Sequence, residues 1–251
     1  MKNSHKALLL ATSLFALFGA TAASATSVVV TSTNSGGWTF SNADNFPNTN
    51  ASGGFVSGPS APPLGTGSAQ LSVGDASSSE VLYQILQPTP VGQLSTLSYY
   101  SYVSNSTPGS GSAPTLQFDL YQGASYEGRL VFDPGLLLST TQNVWQSWDA
   151  STADAWYFTH AGLGTCSISG SYCTLSQAQA FLTPLGIDFT DVLFKAGSGQ
   201  ASFLGSVDDF TFNDSIYDFE ADVPEPVTLS LFGAGLTGAI LLRRRKRTPK
   251  A

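Results

Sequence analysis

The sequence predicts an all-β fold: an antiparallel β-sandwich with one short helix, flanked by an N-terminal signal peptide and a C-terminal transmembrane helix. Apolar and polar residues alternate over many short segments, which is the period of half-buried strands. Turn-forming proline and glycine separate many of these segments, and long uncharged runs lie at the two ends of the chain. The predicted domains are a signal peptide at residues 1–25, a β-sandwich at 26–222 and a C-terminal segment at 223–251.

The N-terminal segment has the three regions of a secretory signal peptide. Lys2 and Lys6 precede the apolar run Ala7–Phe18, and Ala23 and Ala25 provide the small residues that signal peptidase requires. We expect cleavage after Ala25, with cleavage after Ala23 as the alternative. An uncleaved anchor is a further alternative, although twelve apolar residues are few for a permanent membrane span.

The central region contains the predicted strands. Residues 69–73 and 116–120 each place apolar side chains at every second position, as expected for strands with one buried face. Short strands punctuated by turns predict a single sandwich domain of about two hundred residues. Further strands are predicted at Val81–Leu86, Leu94–Val103, Arg129–Phe132, Val144–Trp148, Ala155–Phe158, Val192–Lys195, Ala201–Leu204 and Val207–Phe212.

One segment has helical periodicity instead. Thr174 and Gln177 form a capping-box pattern, and apolar residues at 178, 181, 182 and 185 follow the spacing of one helix face. This pattern predicts a short helix over residues 175–183 that covers one end of the sandwich.

The two cysteines, Cys166 and Cys173, predict one disulfide bond. An exported protein enters a compartment in which disulfides form and persist, and the loop between the two cysteines is short and turn-prone. A zinc site is not predicted, because His160 is the sole histidine outside the N-terminal segment and metal ligands are too few.

The charge of the exported part excludes nucleic acid as a partner. Between Asp44 and Glu225 the chain has two cations, Arg129 and Lys195, against all seventeen of its Asp and Glu residues, a net charge near −15. Nucleic-acid binding depends on cationic contacts to phosphate, so divalent cations or neutral sugars are the expected partners. Catalysis is not predicted either, because His160 lacks a serine elbow nearby and seventeen acids define no particular pair.

The aromatic and acidic residues of the domain offer candidate binding groups. Four tryptophans could stack on sugar rings if exposed, although core packing is the default for each. Strand alternation predicts that Asp208 shares a face with Phe210 and Phe212, in apolar surroundings. A carboxylate buried in this way requires either hydrogen bonds or a cation. The four tryptophans are Trp38, Trp145, Trp148 and Trp156.

The C-terminal segment contains three kinds of sequence in a fixed order. Val223, Pro224, Glu225 and Pro226 form a rigid extended start, and the uncharged run Val227–Leu242 follows as a predicted transmembrane helix. The positive-inside rule places the basic tail, residues 243–251, in the cytoplasm and the domain on the other side of the membrane. A core helix with a basic tail is the alternative. The cations that close the run are Arg243, Arg244, Arg245, Lys246 and Arg247.

This order resembles the PEP-CTERM sorting signal of Gram-negative bacteria, with the triplet Pro224-Glu225-Pro226 before a short membrane helix and an arginine cluster. The resemblance implies that the helix is a transient inner-membrane anchor. It also implies that exosortase, a membrane transpeptidase, cuts at the triplet and passes the protein to the cell surface or extracellular matrix. A host that makes extracellular polysaccharide is expected.

A second resemblance covers parts of the domain. Gly65–Leu71 and Gly205–Phe212 resemble the paired early and late strands of galactose-binding-like jelly rolls, the fold of many carbohydrate-binding modules. The resemblance implies a jelly-roll sandwich and a structural calcium ion held in part by Asp208, with backbone amides or hydroxyls as the alternative partners of this carboxylate. No other cofactor is predicted.

Together these observations predict an exported, exosortase-processed, non-catalytic surface protein that associates with extracellular polysaccharide. A structural or adhesive surface protein without specific sugar binding is the close alternative. A polysaccharide-active enzyme is the distant one.

Overall fold

The computed structural model describes residues 25–41, 50–105, 113–136, 140–197 and 202–222. These residues form two β-sheets packed face to face with one short α-helix, so the predicted β-sandwich is confirmed. The predicted sorting motif, transmembrane helix and basic tail, and the signal peptide up to residue 24, lie outside the described residues. Within the described part of the chain, no helix is long and apolar enough to cross a membrane.

The first sheet is built around one long strand near the end of the domain. Its strands in the described residues are β1 (Thr26–Val30), β3 (Ala51–Ser57), β4 (Gly67–Val73), β6 (Leu97–Asn105), β9 (Trp145–Asp149), β12 (Phe203–Phe212) and β13 (Ser215–Phe219). On one side the long strand β12 pairs with β6, which in turn pairs with β9. On its other side the first half of β12 pairs with β4 and the second half with β13.

The second sheet is antiparallel throughout. Its described strands are β2 (Trp38–Ser41), β5 (Ser79–Pro90), β7 (Thr115–Gln122), β8 (Ser125–Phe132), β10 (Trp156–Phe158) and β11 (Asp188–Gly197). They lie in the order β10-β8-β7-β11-β5-β2, and all the pairs are antiparallel. Central strands β7 and β11 pair over most of their length, which makes this sheet a continuous surface.

Aromatic side chains fill the space between the sheets. Phe194 of β11 lies with its ring centroid 4.9 Å from that of Phe210 of β12 and 5.0 Å from that of Tyr99, so rings from both sheets interlock. Trp38 lies on β2, the edge strand of the second sheet, and its ring contacts those of Phe219 and Phe210 edge-on. Large aromatic groups bury more apolar surface per residue than any other side chains, and this core is their main site of burial.

The predicted helix is present as α1, Leu175–Leu182, followed by a 3₁₀ turn at Thr183–Leu185. Its capping box is confirmed: the hydroxyl of Thr174 accepts from the Gln177 amide, and the Gln177 side chain accepts from the Thr174 amide. Gln179 Nε2 donates to the carbonyls of residues 91 and 94, which fixes the helix over the end of the sandwich.

The predicted disulfide is also present. Cys166 and Cys173 are bonded, with Cα atoms 5.5 Å apart, in the segment between β10 and α1. The amide of Cys173 donates to the carbonyl of Trp156 at 2.9 Å, and Trp156 returns the bond. The disulfide loop is therefore held against the edge strand β10.

A β-bulge in β12 overturns the predicted face of Asp208. Asp208 is opposite Tyr100 on β6, but the next pair is Thr211 with Ser98, so two residues of β12 face a single residue of β6. Asp209 has φ of +50°, a left-handed conformation that bulges accommodate. Because of this extra residue, the side chains before and after Asp209 no longer follow one uninterrupted alternation between the two faces of the sheet. Asp208 therefore lies on the outer face of the first sheet, opposite to Phe210, although it is completely buried as expected.

Other strands differ from the prediction in extent. Of the predicted strand 201–204, residues 203 and 204 belong to the same strand as the predicted 207–212, β12, and Ser206 is buried within it. Strands β1, β2, β3 and β13 were not predicted. Two of these, β1 and β13, pair in parallel, an exception to the otherwise antiparallel pairing of the described strands.

Candidate functional site

The outer face of the six-stranded sheet presents a polar surface opposite the core. In β7 the even-numbered residues Leu116, Phe118 and Leu120 are fully buried in the core, so Gln117 and Asp119 project to the other side. Strands β8, β11 and β5 contribute their outward residues at matching positions. We name this surface the polar face and define it by Tyr83, Gln117, Asp119, Tyr121, Tyr126, Arg129, Asp191 and Lys195.

A row of charges crosses the polar face over three strands. Asp119 stands opposite Arg129 on β8 and opposite Asp191 on β11. Arg129 Nε donates to Asp119 Oδ1 at 2.5 Å, and the two side chains are 17% and 18% exposed. Thr190 Oγ1 donates to Asp191 Oδ2 at 2.6 Å. The guanidinium thus offsets two carboxylates that would otherwise repel each other across the strands.

A hydrogen-bond network extends from this row. Arg129 Nη1 donates to Gln117 Oε1 at 3.4 Å, and Gln117 Nε2 donates to Thr115 Oγ1 at 2.8 Å. Lys195 is opposite Thr115 on the neighbouring strand. Arg129 and Lys195, the two cations outside the terminal segments, therefore both belong to this face.

The polar face is recessed. Gln117 and Leu193 are buried although they point away from the core. A cavity of about 170 Å³ opens beside the charged row. Its walls combine carboxylate, guanidinium, phenol and hydroxyl groups with two aliphatic side chains. The cavity is lined by Ser41, Val81, Tyr83, Asp119, Arg129, Asp191 and Leu193.

An aromatic pair lies farther along the same face. Tyr121 and Tyr126 are opposite each other on β7 and β8, with ring centroids 5.4 Å apart. The ring of His160 lies edge-on to that of Tyr126, with the two ring centroids 6.4 Å apart. Tyr126 remains 47% exposed, an unusual degree of exposure for a large aromatic side chain in this domain. It offers a flat apolar surface at the edge of the hydrogen-bonding row.

A second polar cluster surrounds Asp208 on the outer face of the other sheet. Asp208 Oδ1 accepts from the Phe219 amide and Oδ2 from the Leu64 amide, both at 3.1 Å. Burial raises the pKa of Asp208 to about 7, and these amide hydrogen bonds oppose the shift. The backbone amides are the partners that the sequence left as the alternative to calcium.

Two buried oxygens beside Asp208 have no hydrogen-bond partner. Ser68 is adjacent to Ala69, which pairs with Val207, so it lies next to Asp208, and its Oγ is unpaired and fully buried. Asp218 Oδ1 is likewise buried and unpaired. Burial also raises the pKa of Asp218. Among the described residues, no group of three or more His, Cys, Asp or Glu side chains is arranged as a metal site.

The structure separates the tryptophans by role. Trp38, Trp148 and Trp156 are buried in the core, as the default interpretation predicted. Trp145 is half-buried, and its Nε1 donates to the carbonyl of Pro59. His160 is exposed and contributes only its contact with Tyr126 in the described ring pairs.

Sequence reasoning did not identify the polar face. Its signal was present: Arg129 and Lys195 are the two cations left after the terminal segments are removed, and each occupies an outward position of a strand. The row of Arg129, Asp119 and Asp191 requires residues from β7, β8 and β11, which lie up to 72 residues apart, so the pairing of the strands had to be known first.

The described chain ends at Asp222, directly before the predicted C-terminal segment at 223–251. Residues 222–246 match the PEP-CTERM protein-sorting motif. The resemblance that the sequence suggested is therefore confirmed. The PEP-CTERM motif indicates export in a Gram-negative bacterium, with exosortase processing of a C-terminal membrane anchor.

Comparison of the whole fold with solved structures gives distant matches. The family 11 carbohydrate-binding module of cellulase Lic26A-Cel5E of Clostridium thermocellum has 10% identity and a TM-score of 0.41, and the match covers 74% of this chain and 90% of that one. The enzymatically active domain of tailspike protein 4 of bacteriophage CBA120 has 10% identity and a TM-score of 0.36, over 72% of this chain and 19% of that one. No curated protein sequence matches this chain significantly.

Proposed function

We propose that the mature domain is a non-catalytic surface protein that binds extracellular polysaccharide through the polar face. Exosortase processing would bring it to the cell surface or the matrix, after signal peptidase removes residues 1–25. The observation that supports the proposal best is the row Arg129–Asp119–Asp191 beside a recessed cavity.

The chemistry of this row suits neutral sugars. Sugar hydroxyls both donate and accept hydrogen bonds, and the row offers charged donors and acceptors that neighbouring residues already hold in place. A ligand would therefore meet side chains whose rotamers are restrained before binding, which lowers the entropy cost of association. Tyr126 adds an exposed ring against which the apolar face of a pyranose could pack.

The domain's charge favours the same class of ligand. With a net charge near −15 between Asp44 and Glu225, the domain repels polyanions, and the cation of the row is already paired with Asp119. A neutral polymer meets no such barrier. A polymer with sparse acidic groups would require divalent cations as bridges.

We further propose that calcium stabilises the second polar cluster. Asp208, Asp218 and Ser68 provide oxygen atoms, which are the ligands that calcium prefers, and two of these buried oxygens lack any other partner. The ion would have a structural role there. Isothermal titration calorimetry of the protein, after a chelator has removed bound metal, should show calcium binding. Thermal denaturation should show a higher midpoint in the presence of calcium. Binding that survives Asp218→Asn unchanged would contradict this site.

Binding and catalysis can be distinguished with one purified protein. We expect the domain to be retained by exopolysaccharide of its host, or by neutral glycans on an array, and to release no reducing sugar from the same polymer. Retention should persist when a chelator is present, provided that the fold survives. No retention on any polysaccharide would favour a structural or adhesive protein, and release of reducing ends would establish an enzyme.

A further inference from the structure

The last described residues of the domain, 220–222, are fixed to two separate turns. The amide of Glu220 donates to the carbonyl of Val30 at 2.8 Å. Its carboxylate accepts from the backbone amide of Thr66 at 2.5 Å and from the Thr66 hydroxyl at 3.2 Å. The segment that leads into the sorting motif therefore continues the folded domain beyond the end of β13.

Asp222, the residue directly before Val223 of the sorting motif, is held by the turn that follows β1. Its carboxylate accepts from the amide of Thr33 at 3.2 Å, from the Thr33 hydroxyl at 2.8 Å and from the hydroxyl of Ser32. The bonds from Thr33 lower the pKa of Asp222, so the carboxylate stays charged in mildly acidic surroundings. The turn has its own bond, from the Asn34 amide to Thr31 Oγ1 at 3.0 Å.

Two glycines on the opposite side allow the close approach of this segment. A Cβ atom at Gly67 would lie 2.6 Å from both the amide nitrogen of Ala221 and the Cα atom of Glu220. A Cβ atom at Gly65 would overlap with Glu220 Oε1. Neither glycine can be replaced by a larger residue unless residues 220–222 move. The backbone at Gly65 and Gly67 therefore leaves the space that residues 220–222 occupy.

We propose that these two turns act as a clamp that positions the sorting motif for exosortase. The clamp consists of Ser32, Thr33, Gly65, Thr66 and Gly67, and it holds the chain up to the residue directly before Val223. Released, residues 220–222 would add about 10 Å of extended chain between the domain and the motif. The clamp thus limits how far the motif can reach into the membrane enzyme, and it makes maturation slower than on an unrestrained tether. The inference rests on exosortase processing.

The clamp can be tested on the full-length chain in a host that has an exosortase, by following the rate of maturation after a pulse of labelling. Asp222→Ala and Gly67→Ala should each mature at least three times faster than the wild type. A chain with Gly-Ser-Gly inserted between Asp222 and Val223 should be accelerated in the same way, because the spacer supplies the same reach. Asp222→Asn keeps one side-chain acceptor and should lie nearer to the wild-type rate.

Matched controls separate the clamp from general effects. Gly54→Ala adds a methyl group where no atom lies within 4 Å, and Asp214→Ala removes one exposed charge at the other end of β13. Both should mature at the wild-type rate. Asp222 is exposed, so its alanine variant retains the core and carries the test even if Gly67→Ala fails to fold.

The outcomes are distinct. Wild-type rates for Asp222→Ala together with a faster spacer variant would overturn the clamp and leave exosortase processing intact. A spacer without effect would also overturn it, because reach would then not limit the reaction. Absence of maturation in the wild-type chain would overturn the processing assignment, and the clamp with it.

Discussion

Arg129 and Asp119 face each other across β8 and β7, and their side chains form a half-buried ion pair on the polar face. The register places Asp191 on the far side of Asp119. One guanidinium therefore lies at the end of a row that carries two carboxylates. We therefore expect the stability of this part of the sheet to depend on the Arg129 guanidinium.

Replacing Arg129 by methionine should destabilise the domain by about 2 kcal/mol, because the half-buried carboxylate of Asp119, opposite Asp191, would lose its guanidinium partner. The double variant Arg129→Met/Asp119→Asn should recover more than half of this loss, since it also removes the carboxylate charge that the guanidinium offsets. Urea denaturation at pH 7 measures both, with Lys195→Met as the control for loss of one cation. Equal destabilisation of the single and double variants would contradict the role of the pair.

Replacing Tyr126 by alanine should weaken polysaccharide binding about fivefold, which corresponds to about 1 kcal/mol. The ring is nearly half exposed, so its loss should leave the fold unchanged. Affinity electrophoresis on the retained polymer measures the effect. Tyr100→Ala provides a matched control, because Tyr100 lies on the outer face of the other sheet, opposite Asp208. If the two variants bind alike, the polar face is not the binding surface.

Glu80 provides a pH-dependent contribution to stability. Its side chain is 1% exposed, and its Oε2 has no hydrogen-bond partner. Burial raises the pKa of Glu80 from 4.5 to about 7. Between these two values the unfolded chain releases the proton while the folded chain keeps it. Stability should therefore fall as the pH rises from about 4.5 to 7.

The variant Glu80→Gln should reduce this slope and be about 1–2 kcal/mol more stable than the wild type at pH 8, after allowance for solvent screening. Urea midpoints between pH 4.5 and 8 test the expectation. Some slope should persist, because Asp208 titrates in the same window. Glu127→Gln removes the same charge from β8 as a control. Parallel profiles for wild type and Glu80→Gln would exclude Glu80 as the source.

Loss of the disulfide should cost about 2–3 kcal/mol, because Cys166 and Cys173 close a short loop and the bond mainly restrains the unfolded chain. The variant Cys166→Ser/Cys173→Ser should therefore fold, with a lower denaturation midpoint. Reduction of the wild-type protein should have the same effect and none on the double variant. Complete unfolding on reduction would contradict this expectation, because it would show that the disulfide is required for the stability of the whole domain.

Local patterns predicted the elements well where one signal dominated. Alternation alone identified β7, because Leu116, Phe118 and Leu120 all enter the core. The capping pair Thr174 and Gln177 identified the start of α1 within one residue. These features depend on neighbours in sequence, so the local sequence contains the information that determines them.

Features that depend on strand pairing could not be predicted in this way. The predicted face of Asp208 was wrong, because a single bulged residue, Asp209, reverses the alternation that strand periodicity assumes. Strand β1 was missed because its residues are mostly exposed and it is ordered by parallel pairing with β13, almost two hundred residues later. The polar face could not be predicted for the same reason, since it combines residues of four strands, and their register is defined only in the folded sheet.

The parallel pairing of β1 with β13 has a practical consequence. Because the two strands run in the same direction, both begin at one end of the sheet and both finish at the other. Thr26 therefore lies about 13–17 Å from the end of the sheet at which the chain continues toward the sorting motif. A reporter fused ahead of Thr26 would lie on the opposite side of the domain from residues 220–222, so it should not obstruct the sorting motif.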